Sequence, residues 1–141
     1  MKVAKGALLG ALLSFVVACD TNDQPANALV FVDLEGRTQK PLVCGDKVAN
    51  VMFFVTNDCP IANALAPEIQ AIVNAHQKSP LRFLLVHVDP DISKAVAGKH
   101  AKDFQLRLPI VLDHHHDLVR RLDISITPEV AVWSNDDGLF Y

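Results

Sequence analysis

Hydrophobic positions along the chain fall into two kinds of pattern, unbroken runs and stripes at helical spacing. Val51–Thr56 and Leu81–Val88 are nearly continuous runs of apolar and β-branched residues, which is typical of strands covered on both faces of a sheet. Between these runs the apolar residues change to helical spacing: Ile61, Leu65, Ile69, Ile72 and Val73. This stripe predicts an amphipathic helix that runs from the first of these residues to about Gln77.

The remaining elements are shorter and continue the alternation of strands and helices. In chain order they are predicted as a strand in Leu29–Asp33, an edge element in Pro41–Val43, a helix carrying Val96, His100 and Phe104, a strand in Pro109–Leu112, a short helix carrying Leu118 and Leu122, and a strand in Val130–Trp133. Asn135–Gly138 then predicts a hairpin turn. Strands that alternate with helices indicate the α/β class, here a sandwich with a central, mostly parallel sheet.

Cys59 is the candidate reactive residue, because it lies where the first buried strand passes into the predicted helix. Asn57 and Asp58 predict a turn before it, and Pro60 suits the first position of a helix. Free backbone N–H groups and the positive end of a helix dipole favour the thiolate there, which is the reactive form. The carboxylate of Asp58 opposes this effect. The alternative interpretation is a buried cysteine that packs as a small hydrophobic residue.

Residues 1–18 have the pattern of a secretory signal peptide, with two lysines before a short, uncharged apolar core. The sequence that ends at Cys19 resembles the lipobox of bacterial lipoproteins, in which the cysteine becomes the lipidated N-terminus. Ordinary signal-peptidase cleavage is the alternative. Asp20 resembles a retention signal for the inner membrane, and residues 19–28 predict a polar tether to the domain. We therefore expect a lipid anchor at the periplasmic face of the bacterial cell envelope.

Composition limits the rest of the chain to one domain. The sequence has 141 residues, half of them hydrophobic, which is enough for one core and not for two. We predict that this domain spans residues 29–141. The formal charge of the full chain is −3, and removing residues 1–18 with their two lysines makes it −5. Because Lys and Arg form no cluster, we expect no nucleic-acid partner.

Four segments, in consistent order along the chain, resemble the thioredoxin superfamily, in particular the redoxin branch that contains peroxiredoxins and thioredoxin-like lipoproteins. They are Phe53–Pro60 with the cysteine, Val86–Asp89 as the following strand, Phe104–Asp113 as the redoxin insertion, and Ile126–Val130 with Asp137–Gly138 as the cis-proline loop and hairpin. Together they extend over about residues 29–141. The four matches in this order identify the superfamily more specifically than any one of them does. The resemblance implies a thioredoxin-like fold in which Thr127 and Pro128 face Cys59.

The same resemblance shows that two residues that usually act with the reactive cysteine are missing from this sequence, a second cysteine and an arginine. Ala62 occupies the position of the second thioredoxin cysteine, so the usual internal disulfide cannot form. Thr56 matches a threonine that peroxiredoxins place before their cysteine, whereas Pro128–Glu129 stands near the position of their arginine. In peroxiredoxins, the hydrogen-bond donors of this threonine and arginine polarise the peroxide and stabilise the thiolate. We also expect the final helix of the fold to be missing from this sequence.

These residues imply an envelope redox protein that uses a single cysteine and no cofactor. Cys59 would attack a peroxide or a protein disulfide, at a site formed with Thr56, Thr127 and Pro128. An external thiol would then reduce the product, or Cys44 would act as a resolving thiol. Membrane association would come through the lipid anchor.

Two other functions stay open at the level of sequence. A non-catalytic thioredoxin-fold module would bind a partner through the Cys59/Pro128 surface, which the absence of a second cysteine and an arginine favours. A metal-delivery protein would use His114–His116, since imidazole is a common metal ligand. Because adjacent histidines in a turn point in different directions, we predict no metal site.

Overall fold

The structure, a computed structural model, describes residues 29–139 and residue 141. Its elements in chain order are β1 (Phe31–Val32), β2 (Thr38–Gln39), β3 (Ala49–Val55), α1 (Pro60–Ala75), β4 (Leu81–His87), α2 (Lys94–Asp103), β5 (Ile110–Leu112), α3 (Asp117–Leu122), β6 (Glu129–Ser134) and β7 (Gly138–Leu139). Within this described part, no helix is long and apolar enough to cross a membrane. The predicted signal peptide, lipidation of Cys19 and tether lie outside the described residues and stay predictions.

β3 lies in the middle of a five-stranded sheet with the order β5-β4-β3-β6-β7. It runs parallel to β4 and antiparallel to β6, with Phe54 opposite Val86 on one side and Glu129 on the other. β4 and β5 are also parallel, whereas β6 and β7 form an antiparallel hairpin. The α/β class with a central, mostly parallel sheet is confirmed: β3, β4, β5 and β7 run in one direction, and β6 runs against them. Apolar patterning defines where β6 lies and carries no information about its direction.

Side chains of β3 alternate between two hydrophobic clusters, one on each face of the sheet. Phe53 and Val55 pack into the cluster that includes residues of α1 and α2. Met52 and Phe54 pack into the cluster that includes residues of α3. This alternation is the ordinary geometry of a strand, and because both faces are covered, β3 is apolar on both faces from Val51 to Val55.

The face that α1 buries is not the full stripe seen in the sequence. Its buried residues are Ala62, Ala66, Ile69 and Val73. Ile61, Leu65 and Ile72 are instead exposed, by 64%, 42% and 44%. The two alanines present no bulk between the helix and the sheet, so small residues occupy the contact and larger ones lie at its flank. The stripe predicted from large apolar residues alone therefore omits the buried alanines and includes three exposed residues.

The edge element predicted in Pro41–Val43 is wrong, because that segment is a turn followed by loop. The short strand is instead β2, which pairs antiparallel with β1. Asn50, buried in β3, donates hydrogen bonds from Nδ2 to the carbonyl oxygens of Pro41 at 2.8 Å and Val43 at 3.2 Å. A side chain thus holds the segment against the sheet, and an apolar pattern cannot reveal such a contact.

Replacing Phe54 with alanine would remove a fully buried ring near the C-terminal end of β3. We expect Phe54→Ala to lower the free energy of unfolding by about 3–5 kcal/mol, because a cavity penalty adds to the lost burial. Val48→Ala, at a position 64% exposed just before β3, is the control and should cost less than about 0.5 kcal/mol. Urea unfolding measures both variants, and equal costs would contradict the core position of Phe54.

Candidate active site

Cys59 is the residue that caps the N-terminus of α1. Its backbone is extended (φ −74°, ψ 111°), as is usual for this position, and Pro60 follows it at the start of the helix as predicted. The Ala62 N–H donates to Sγ at 3.5 Å, and the Asn63 N–H donates to the Cys59 carbonyl at 3.0 Å. The sulfur therefore takes the place of a capping oxygen at the positive end of the helix, in a residue that is only partly buried.

The loop before β6 faces this cysteine. The Thr127–Pro128 peptide bond is cis, and the Cys59 Sγ–H donates to the Thr127 carbonyl oxygen at 3.5 Å. The hydroxyl oxygens of Thr56 and Thr127 lie 3.4 Å apart. Thr56, Cys59 and the Thr127–Pro128 loop, the site residues implied by the sequence, are thus brought together at one edge of the sheet.

Glu129 supports this loop from the first position of β6. Its Oε2 accepts hydrogen bonds from the backbone N–H groups of Ser125 at 2.8 Å and Ile126 at 3.2 Å. The carboxylate therefore ties together the segment that leads into the cis peptide. Glu129 stands near the position of the peroxiredoxin arginine, but a carboxylate supplies no positive charge to a developing anion. Its contribution to the site is the shape of the loop.

The turn that precedes Cys59 is held by two polar side chains. Asp89 follows β4, and its Oδ2 accepts a hydrogen bond from the Asn57 N–H at 3.0 Å. Asn63, in the first turn of α1, donates from Nδ2 to the Asn57 carbonyl at 3.3 Å. Both backbone groups of Asn57 are therefore bonded to side chains. Asp58, next to the cysteine, is exposed to solvent.

Two histidines pack beneath this turn, and the sequence did not identify them as part of the site. His87 ends β4 and is fully buried; His100 lies in α2 and is 5% exposed. Their rings meet edge to face with centroids 4.9 Å apart. Burial lowers the pKa of both histidines, while Asp89 opposes this shift in each. The sequence offered one sign of this pair: a histidine interrupts the apolar run Leu81–Val88, and another lies between Val96 and Phe104 in the apolar stripe of the next helix.

Cys44, the candidate resolving thiol, lies at the opposite end of β3 from Cys59. It is buried, and its Sγ–H donates to the Trp133 carbonyl oxygen at 3.3 Å. The β3–β6 register puts this end near Ser134 and the other end near Glu129. The seven residues of β3 span about 20 Å, far beyond the reach of a disulfide. Neither thiol forms a disulfide within the described residues, and the fold does not bring them together.

Two of the three consecutive histidines, His114 and His116, make hydrogen bonds that hold loops together. His114 Nε2–H donates to the Ile92 carbonyl oxygen at 2.8 Å, and His116 Nε2–H donates to the Val88 carbonyl oxygen at 2.7 Å. These bonds connect the turn before α3 to the loop before α2. In the part of the chain that the structure describes, no three histidine, cysteine or acidic residues are grouped so as to hold a metal.

An apolar groove of about 540 Å3 lies beside the cis-proline loop, between α1 and β6. Its lining residues are Phe53, Leu65, Glu68, Ile69, Ile72, Pro128, Glu129, Val130 and Tyr141. Leu65 and Ile72, two of the exposed apolar residues of α1, form part of one wall of this groove. The thiol therefore lies at the edge of a surface on which an apolar chain segment can rest.

Several solved structures share this fold. A secreted disulfide oxidoreductase from Mycobacterium tuberculosis, described as homologous to E. coli DsbE, is 16% identical and superposes with a TM-score of 0.67 over 82% of each chain. StoA from Bacillus subtilis is 20% identical, with a TM-score of 0.67 over 80% of this chain and 84% of its own. The thioredoxin domain of a thiol-disulfide oxidoreductase from Bacteroides vulgatus is 15% identical, with a TM-score of 0.67 over 79% of each chain.

These similarities confirm the thioredoxin-like fold that the sequence motifs implied. At identities of 15–20% they show the fold alone. No family model matches the sequence. No curated protein matches it either.

The buried histidines predict that the protein loses stability in mild acid. Their pKa values are lowered in the folded state, so below about pH 6.5 the unfolded chain binds more protons than the folded chain does. The free energy of unfolding should therefore fall between about pH 7 and pH 5, by at most about 1.4 kcal/mol per pH unit for each histidine. Urea unfolding at several pH values measures this dependence.

The control for this prediction is the exposed His115. His115→Gln should keep the pH dependence of the wild-type protein, whereas His100→Gln should reduce it, because glutamine takes up no proton in this range. An unchanged pH dependence in His100→Gln would contradict the assignment.

Proposed function

We propose that the protein is a thiol-disulfide exchange protein in which Cys59 is the nucleophile. The observation that carries this proposal is the geometry of Cys59, a partly exposed thiol at the N-terminus of α1 that faces a cis-proline loop. The helix N-terminus stabilises negative charge on the sulfur, and the Ala62 N–H is already directed at it. The disulfide oxidoreductases that share the fold support a thiol redox role.

In the proposed reaction, the Cys59 thiolate attacks one sulfur of a partner disulfide. A new S–S bond forms to Cys59, the old one breaks, and the second partner sulfur leaves as a thiolate with the electron pair. Cys59 and the partner are then joined in a mixed disulfide. An external thiolate attacks the partner sulfur of that bond and releases Cys59 as a thiolate.

An external thiol is required because, among the described residues, no second cysteine is within reach of Cys59. Ala62 is buried in the first turn of α1, at the position where a second cysteine would serve. Cys44 is buried at the far end of β3. The mixed disulfide therefore persists until another thiol resolves it, which favours a slow, partner-dependent exchange over rapid turnover.

Attack on a peroxide is the second candidate, and the Thr56 hydroxyl beside the loop favours it. The Cys59 thiolate would attack one peroxide oxygen, an S–O bond would form and the O–O bond would break, which gives a sulfenic acid. The other oxygen would leave with the electron pair as an alkoxide or hydroxide and take up a proton from solvent. A positive donor that stabilises the leaving oxygen is missing from the side-chain contacts found at Cys59, Thr56 and Thr127 among the described residues. We therefore rank disulfide exchange first.

The apolar groove favours a polypeptide as the disulfide-bearing partner. It adjoins the cis-proline loop and is lined mainly by apolar side chains of α1 and β6. A protein that only binds partners would use the same surface. Disulfide exchange and simple binding therefore differ in whether Cys59 forms a covalent bond to the partner. Binding that survives Cys59→Ser without any exchange would favour the binding module.

We propose that this exchange takes place outside the cytoplasm. The signal-peptide pattern of residues 1–18 and the lipobox-like sequence at Cys19 support a lipid anchor in the bacterial cell envelope, with Asp20 favouring the inner membrane. The related fold of a secreted M. tuberculosis disulfide oxidoreductase supports an extracytoplasmic location. Such compartments permit protein disulfides, which are the proposed substrates.

An aromatic disulfide that releases a coloured thiolate tests the proposed reaction. We expect the native protein and Cys44→Ser to release it with equal rates, since Cys44 is buried, and Cys59→Ser to lose the reaction. The rate with the disulfide should exceed the rate with hydrogen peroxide, measured by dimedone labelling of Cys59, by at least about tenfold. A faster reaction with peroxide would favour the second candidate, and a Cys59 inert to both would overturn the proposed function.

A further inference from the structure

The buried pair formed by His87 and His100 has no assigned part in the chemistry of Cys59, although it lies directly under the turn that carries the thiol. Buried polar side chains cost stability unless their hydrogen bonds are made. Each ring makes one hydrogen bond to a side chain that itself holds the turn. The pair is therefore connected to the cysteine loop through Asp89 and Asn63.

The hydrogen bonds determine which nitrogen of each ring carries a proton. Asn63 donates through its Nδ2 to the backbone, so its Oδ1 is an acceptor, and His100 Nε2–H donates to it at 2.7 Å. The carboxylate of Asp89 is an acceptor, so His87 Nδ1–H donates to it at 3.3 Å. Two neutral imidazoles satisfy both contacts at once.

The second nitrogen of each ring has no hydrogen-bond partner among the described residues: these atoms are His87 Nε2 and His100 Nδ1. A proton added to either would create a buried N–H without an acceptor and a charge in an apolar layer. The carboxylates that face the pair are Asp89, after β4, and Asp103, at the end of α2. Phe104 packs against His100 with centroids 4.9 Å apart and offers no acceptor of comparable strength.

The partners of the pair hold both backbone groups of Asn57, two residues before the cysteine. Asp89 accepts from its N–H and Asn63 donates to its carbonyl oxygen. Asn63 also donates its own backbone N–H to the Cys59 carbonyl at 3.0 Å. The orientation of the Asn57–Cys59 segment therefore depends on Asp89 and Asn63, whose side chains are in turn oriented by the two imidazoles.

We infer that His87 and His100 are positioning residues that hold Cys59 in its reactive geometry as long as both rings are neutral. This inference rests on the proposed function of Cys59. A proton added to either ring leaves its present hydrogen bond in place, but it buries a charge and an N–H without an acceptor, so the ring shifts towards solvent and draws Asn63 or Asp89 with it. The Asn57–Cys59 turn then loosens, the sulfur loses its alignment with the Ala62 N–H and the Thr127 loop, and Cys59 reacts more slowly in mild acid than it does with the turn held in place.

Alkylation of Cys59 by iodoacetamide, followed by mass spectrometry of the full chain, tests the inference. His100→Phe removes the donor to Asn63, and we expect its rate at about pH 7.5 to fall about three- to tenfold, the usual worth of one hydrogen bond. His100→Gln keeps an N–H donor and cannot be protonated in this range, so it should restore most of the rate.

The pH profile separates positioning from a purely structural role. The rate of His100→Gln divided by that of the wild-type protein should rise about threefold or more between about pH 7.5 and pH 5, because His100 takes up a proton as the pH falls and glutamine does not. The exposed-site control His115→Gln should keep this ratio near one. A ratio for His100→Gln that stays constant over this range would overturn the inference, even if His100→Phe failed to fold.

The aromatic-disulfide assay keeps this inference distinct from the proposed function. If Cys59 is alkylated with the expected pH dependence but exchanges with no disulfide, the function fails and the positioning role stands. If Cys59 exchanges with the disulfide and the alkylation ratio does not change with pH, the positioning role fails and the function stands.

Discussion

The register between β3 and β6 is the constraint on which the site depends. The two strands pair antiparallel from Ala49 opposite Ser134 to Phe54 opposite Glu129. Glu129 directly follows the cis peptide, and Phe54 is five residues before Cys59, so this pairing fixes the loop against the N-terminus of α1. A slip of one residue would turn the side chains of β6 to the opposite faces of the sheet. Because β3 is buried on both faces, its packing specifies the register strongly.

The same pairing gives Cys59 and Cys44 different chemical environments. One end of β3 leads to the helix N-terminus and the partly exposed Cys59, whereas the other end lies beside Cys44, which is buried and bonded to the Trp133 carbonyl. A cysteine in the second environment behaves as a small core residue. The chemistry is therefore confined to one edge of the sheet, where the Thr127–Pro128 loop and the side chains that contact the buried histidines meet the start of α1. The apolar groove adjoins the same loop beside the middle of α1.

The parts of the fold that could be predicted from the sequence are the local ones. The run Val51–Thr56, the turn and Pro60 defined a strand, a reactive-thiol position and a helix start, and the resemblance added the cis-proline loop. The direction of β6 and the separation of Cys44 from Cys59 depend on contacts between distant segments, which spacing does not encode. The contact between His87 and His100 could not be predicted for the same reason, since the two residues become neighbours only when α2 packs on β4.

The difference between Cys59 and Cys44 can be measured directly in the native protein. Iodoacetamide is added under native conditions, and the modification of Cys59 and Cys44 is followed by peptide mass spectrometry. The account predicts that Cys59 is modified while Cys44 stays protected until urea unfolds the chain, because only Cys59 lies at an accessible helix N-terminus. Equal modification of the two thiols, or earlier modification of Cys44, would contradict it.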